Sequence, residues 1–191
     1  MTTLTTGEAA FVAEVSIRTV NQAIDRGEIQ TPNKRRRREL GVPEVLYLRM
    51  RRDLSRVLVN PARKALYQAL RAEAREKGEL RTFRVLYEVG PVQVEVGPAV
   101  RDVAERLRQL EVARAAVVRD EQIRGGEPVV KGTRIPVHML ADLVGQGAST
   151  EELLADYPAL SAETLSAALV FAETHPKRGR KPVTPPWRRQ T

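Results

Sequence analysis

A chain of 191 residues with a formal net charge of +8 is long enough for two small domains with modest cores. It has no cysteine, which excludes disulfides and thiolate metal sites, and only 4% aromatics, so its cores must rest on Leu, Val, Ile and Ala. No run approaches the ~20 apolar residues of a membrane-spanning helix, and the N-terminal stretch with Glu8 and Glu14 does not read as a signal peptide; a soluble, cytoplasmic protein is expected.

Residues 4–29 read as two short helices with a turn. Thr6 is expected to cap the first, and Ser16 the second, which runs from Ile17 to Arg26 and stops at Gly27. Ala10, Val15, Val20 and Ile24 would face inward. The second helix would then expose Arg18, Asn21, Gln22, Asp25 and Arg26, with Ser16 and Thr19 also counted as DNA contacts; Arg reads guanine, and Asn or Gln adenine. The unit resembles a MerR-like helix-turn-helix, with Val15-Ser16 opening the recognition helix and Gly27-Glu28-Ile29 leading to a wing. Lys34, Arg35, Arg36, Arg37 and Arg38 would lie where a wing meets phosphates. The plain alternative is a helical hairpin with a polar face.

Two further helices are expected across residues 43–77. Pro43 suits the first turn of one, with Leu46, Met50, Leu54 and Val57-Leu58 facing inward; Asn60-Pro61 opens the next, whose inner face holds Leu66 and Leu70 and which Gly78 closes. Alternating residues from Phe83 to Val96 predict a β-hairpin with Gly90-Pro91 separating its runs. Pro98 starts another helix, whose mixed face of Arg101, Glu105, Arg106 and Arg108 reads as solvated. Val117-Val118 returns to a short strand.

Residues 125–137 combine three glycines, two prolines and extended-favouring Val129, Val130 and Ile135, which predicts a compact turn, a short hairpin and a helix beginning near Pro136. The order Lys131-Gly132-Thr133 reverses the glycine and lysine of a phosphate-binding P-loop, so nucleotide binding there is not expected. Helices follow over Val137–Val144, from a Ser149/Glu152 capping box, and from Ser161 to Thr174. The last has no Lys or Arg, which disfavours groove entry. Leu165, Leu169 and Phe171 are read as core or dimer surface, and Lys131 and Arg134 as available for phosphate.

The run Ile123, Gly126, Pro128-Val129-Val130, Gly132-Thr133-Arg134-Ile135-Pro136-Val137, then Tyr157-Pro158 and Phe171-Ala172, resembles domain-of-unknown-function family four-three-three. The resemblance covers about residues 117–176 and implies a VapB-like antitoxin of a type II toxin–antitoxin module, partnered by a VapC-type, PIN-like ribonuclease. Under it Gly126, Gly132, Thr133, Arg134, Ile135 and Pro136 take structural or dimer roles with Leu165, Leu169 and Phe171.

The tail, His175 to Thr191, holds four prolines and cannot build a core. Lys177, Arg178, Arg180, Lys181, Arg188 and Arg189 make it the second basic block, with Trp187 as its one large apolar anchor. One reading lays these cations on a ribonuclease's carboxylates, with Trp187 in a pocket. Another takes Arg178-Gly179-Arg180 as AT-hook-like and bound in the minor groove; a third takes the tail as a passive solubility segment.

His138 and His175 are the only histidines and show no metal-ligand spacing, no serine nucleophile motif is present, and neither enzyme activity nor a cofactor is expected. The expected fold is mainly α with small β-hairpins (α+β). Residues 1–78 would carry the winged helix-turn-helix-like unit, 79–118 a connector, 119–174 a trihelical dimerisation domain and 175–191 the toxin-binding tail. The functional expectation is a homodimeric antitoxin that inhibits the ribonuclease and represses its own operator DNA; the rival is a free-standing DNA-binding regulator without a toxin.

Overall fold

The computed structural model describes residues 3–31, 38–76, 82–87 and 90–177. These residues form eight α-helices and two two-stranded sheets, mainly helical as composition and periodicity imply.

α1 (Thr6–Ala13) and α2 (Ile17–Asp25) are joined by a three-residue turn. The α1 cap is Thr5, one residue before the Thr6 expected, because a reciprocal box needs an acceptor three residues on. Glu8 supplies it: its carboxylate accepts from the Thr5 N–H at 2.8 Å, and Thr5 Oγ1 accepts from the Glu8 N–H. Ser16 caps α2 as expected, accepting from the Thr19 N–H at 3.1 Å. Ala10 and Val20 are buried, and Val15 and Ile24 pack against the same core.

α3 (Val42–Val57) and α4 (Asn60–Glu76) pack on this pair through Leu46, Met50, Leu54, Leu66 and Leu70. Val57 departs from its expected inward position and is 76% exposed, since the last turn of α3 overruns the core and Leu58 leaves the helix in extended conformation. Glu44 is buried on α3 yet satisfied: it accepts from the Gly41 N–H at 3.0 Å and from the Tyr67 hydroxyl at 2.7 Å. The Tyr67 oxygen in turn accepts from the Gln30 N–H at 2.9 Å.

β1 (Thr82–Tyr87) and β2 (Gly90–Glu95) form the expected hairpin, but the pairing runs to Tyr87 opposite Gly90. Gly90 and Pro91 therefore stand within β2 rather than between the runs. A two-stranded ribbon leaves one side of each strand open, so the missing proline donor costs no ladder bond.

α5 (Gly97–Ala115) is the spine of the molecule. Val103 and Leu110 enter the N-terminal core, and Ala113 enters a second core with Val130, Leu140, Leu153, Leu165 and Phe171. The sequence reads its charged face as solvated, and Arg106 departs from that reading. Arg106 bonds the Glu14 carboxylate and lies 5.0 Å over the Phe11 ring, so that arginine ties α5 to the turn after α1.

β3 (Val117–Val118) pairs antiparallel with β4 (Val129–Val130). The expected local hairpin thus takes its main partner from upstream. The downstream leg is still attached, since the Val130 N–H donates to Ile135 O at 2.9 Å and the Val137 N–H donates to Pro128 O at 3.0 Å.

α6 (Val137–Gly145), α7 (Thr150–Asp156) and α8 (Ala162–Thr174) complete the chain. The Ser149/Glu152 box is present; at α8 the box partner of Ser161 is Thr164, not the nearer Glu163, which stands at the wrong spacing. α8 packs on α5, α6 and α1, with Leu165 and Phe171 buried in the core and Leu169 half-buried against it. At the α1–α8 crossing Gly7 is required: a Cβ there would stand 2.2 Å from Thr174 O.

Candidate nucleic-acid interface

α2 stands on the surface because the turn before it is held rigidly. Glu14 adopts a left-handed conformation, φ 54° and ψ 45°, which a glycine would take without strain. Its carboxylate is fixed by Arg49 at 2.9 Å and by Arg106, and Arg49 also reaches Asp102 at 2.8 Å. Three arginine-carboxylate contacts from α3 and α5 therefore set the angle at which α2 leaves α1.

Arg18, Gln22 and the C-cap Arg26 recur at one-turn spacing along one side of α2; Arg18 and Arg26 are exposed and Gln22 is half-buried. Among the described residues no hydrogen bond reaches the Arg18 or Gln22 side chains, and Arg26 stands 4.0 Å from Glu28. Ser16 and Thr19 are engaged in the helix cap, with their hydroxyls 2.9 Å apart. Asn21 departs from its expected role: its Oδ1 accepts from Arg38 at 2.7 Å, and a bidentate adenine contact needs that oxygen free. Arg38 also binds Asp25 at 2.7 Å, so it braces α2 rather than presenting an uncompensated charge to phosphate. Lys34, Arg35, Arg36 and Arg37 lie outside the described residues, and so does the loop of the expected wing. Of the chain flanking them, Leu40 bridges antiparallel to Leu4, and Glu28 is turned back onto Arg51 at 2.6 Å. The Arg51 hydrogen bond outweighs burial and holds the Glu28 carboxyl below the usual carboxylate range.

The structure adds cations from α3 that the sequence reading left out. A groove of about 640 Å³ beside the start of α2 is lined by Val15, Thr19, Arg49, Arg51, Arg52 and Arg56. Arg49 and Arg51 are ion-paired; Arg56 stands 3.8 Å from Asp53; Arg52 has no acidic partner among the described residues. Arg52 and Arg56 lie one helical turn apart, opposite the buried Met50 and Leu54, which is the signal that locates them.

In the C-terminal half the glycine-rich stretch builds a turn. Gly132 takes φ 78°. Thr133 Oγ1 donates to Val130 O at 2.8 Å and accepts from the Ile135 N–H at 3.1 Å, closing the turn with its own side chain. Pro136 is buried and caps α6, Gly126 follows Gly125 through a short 3₁₀ turn, and Arg134 and Lys131 are exposed. Residues 117–172 match the family described as "Protein of unknown function (DUF433)". That match spans 56 of the 191 residues, so the likeness is to this segment of the chain.

Two similar proteins give the extent of the likeness. The uncharacterized protein y4eO of Sinorhizobium fredii (strain NBRC 101917 / NGR234) is 42% identical over 90 residues, 47% of this chain and 41% of y4eO. The chain thus spans less than half the length of that curated relative. A crystal structure of a DUF433 member protein from Anabaena variabilis ATCC 29413 is 38% identical, over 39% of this chain and 73% of its own, with a TM-score of 0.32.

The folded chain continues past α8, beyond the segment that matches the family. His175, Pro176 and Lys177 belong to the folded body rather than to an extended tail. The His175 ring stacks on Phe171 at 4.2 Å and 8°, and Lys177 Nζ donates to Asp142 at 2.9 Å. Arg178, Arg180, Lys181, Trp187, Arg188 and Arg189 lie outside the described residues. Among the described residues there is no cluster of metal-ligating side chains, and no helix is long and apolar enough to cross a membrane.

Proposed function

We propose that this chain is a DNA-binding regulator of the antitoxin type, with α2 as its reading helix. The observation that carries the reading is the row of Arg18, Gln22 and Arg26 along a capped helix beside Arg52 and Arg56. Arg18 and Gln22 would read base edges, while Arg52 and Arg56 would hold phosphates. Two copies would place two such helices on a palindromic site.

The antitoxin part rests on the Gly-Thr-Arg-Ile-Pro-Val signature and the basic, Trp-bearing tail. In this reading the tail beyond Lys177 meets the carboxylates of a PIN-like ribonuclease, and DUF433 residues anchor its start.

The deciding experiment uses the full chain co-expressed with the neighbouring reading frame, and a version lacking residues 178–191. Deletion starts after Lys177 so that the His175 and Lys177 contacts survive. A stable complex lost on deletion, with operator binding retained, supports the antitoxin. Operator binding with no partner in either version supports a free-standing regulator. The variant Arg18→Ala/Gln22→Ala should weaken specific DNA binding by about 10- to 100-fold without moving the urea midpoint. Unchanged DNA affinity in that variant would remove α2 as the reader.

A further inference from the structure

The two histidines, distant in sequence, line one cleft. Its volume is about 1070 Å³, just above the ~300–1,000 Å³ typical of small-molecule sites. It is lined by Thr5, Thr6 and Gly7 from the start of α1, by Arg119 and His138, and by His175 and Lys177.

Three independent features converge there on an anion. First, the Thr6 and Gly7 N–H groups open α1 and, among the described residues, have no acceptor; the Glu8 N–H is the one that Thr5 takes. Second, His138 is buried, 8% exposed, yet no hydrogen bond reaches its ring among the described residues. A polar ring left unsatisfied against a cleft is a group waiting for a partner. Third, Arg119 has no carboxylate partner among the described residues and holds its guanidinium 5.8 Å over the Phe171 ring, a fixed position at the cleft wall.

The other charged side chains lining the cleft are already paired. Glu127 lines the cleft but bonds Arg124 at 3.2 Å. Arg38 is neutralised by Asp25, and Lys177 by Asp142. Glu8 lies behind α1, bonded to Arg114 at 2.7 Å, with His175 Nε2 3.4 Å away. What remains for a ligand is Arg119, the His138 ring and the two backbone donors. Burial first, then Lys177 and Arg119, hold His138 below the usual imidazole range, against a weaker upward pull from Asp142 and Glu127.

We propose that this cleft binds a phosphate group, held by Arg119, the His138 ring and the Thr6 and Gly7 N–H groups. Arg119 supplies the charge-assisted fork, and the α1 start supplies two oriented donors and a favourable dipole. The apolar wall of Ile17, Val117 and Pro128 leaves room for the organic part of a phosphomonoester. The same chemistry is offered by a backbone phosphate of DNA, since Ile17 belongs to α2. The site itself does not depend on α2 being a reader.

The test is nuclear magnetic resonance on the full chain. With two histidines in the sequence, two imidazole Cε1–H signals are expected, and His138→Gln assigns them. The probes are adenosine 5′-monophosphate, inorganic phosphate and a mixed-sequence DNA duplex, each against chloride at matched ionic strength. The His138 signal should move with adenosine monophosphate in a saturable way, and Arg119→Gln should weaken that binding about tenfold. Arg119 is exposed, so this variant is read without a folding change. Movement with the duplex but not with the monophosphate places the phosphate in DNA and keeps the site. No movement with any probe, equal movement with chloride, or full affinity in Arg119→Gln overturns it.

Discussion

Replacing Gly7 by alanine tests the contact that joins the two halves of the molecule. The new Cβ would stand 2.2 Å from the Thr174 carbonyl oxygen and 3.1 Å from its carbon, where ordinary contact begins near 3.4 Å. α1 and α8 would have to part by about 1 Å. Neither yields easily: α1 is fixed by the Thr5/Glu8 box and by Arg114 on Glu8, and α8 by the burial of Leu165 and Phe171. Overpacking of this kind costs about 1–3 kcal/mol, and the better helix propensity of alanine returns at most ~1 kcal/mol. The expected net loss is about 1–2 kcal/mol in urea unfolding at unchanged m-value. Gly145→Ala is the matched control, because no atom lies within 4 Å of its added Cβ, and it should be neutral or stabilising by up to about 1 kcal/mol. If Gly7→Ala proved as stable as Gly145→Ala, the close α1–α8 crossing would be wrong.

Tyr67→Phe removes the hydroxyl that joins Gln30 to buried Glu44 and should cost about 1–3 kcal/mol in urea unfolding; a neutral result would mean that water replaces it there. At the turn before α2, Glu14→Ala keeps the left-handed backbone and loses the Arg49 and Arg106 pairs, whereas Glu14→Gly removes the strain as well. The glycine variant should therefore be about 1 kcal/mol more stable than the alanine variant, and the reverse order would deny that the conformation is strained. His138 and His175 are both held below the usual imidazole range, chiefly by burial. The unfolded chain then takes up protons first, so stability should decline as pH falls below about 6.5 and level off below the folded-state values. His138→Gln/His175→Gln should flatten that slope in urea midpoints measured against pH. For Glu8 burial acts upward, but the Thr5 N–H and Arg114 outweigh it and leave the carboxyl below its ordinary value of 4.5. Its contribution should be intact above that pH and disappear only as pH falls through the lowered value, a step that Glu8→Gln should lack.

Local chemistry was legible wherever a few adjacent residues decide the outcome. Ser16, the Ser149/Glu152 box, Pro98 and the Thr133 turn act within four residues of themselves, and each element they bound is where the sequence placed it. Apolar periodicity likewise assigned Val20, Leu46, Leu66 and Leu70 to the interior, because a helix face is set by spacing alone. Pairing between distant elements was not legible. Nothing near Val129 says that its strand partner is Val118 rather than Ile135, since both are equally apolar and extended. Arg106 and Arg38 read as free surface charge, yet each finds a carboxylate or amide that only the packing of α5 and the chain return at residue 38 brings within reach. The cleft is the extreme case. His138, His175, Arg119 and the first turn of α1 share no spacing in sequence; they meet because α8 crosses α1 at Gly7. Short-range hydrogen bonding and periodicity thus determined which elements form and where they begin. Which faces meet, which charges are compensated and where an unsatisfied ring is left facing open space were decided only by tertiary packing, whose contacts depend on the whole chain at once.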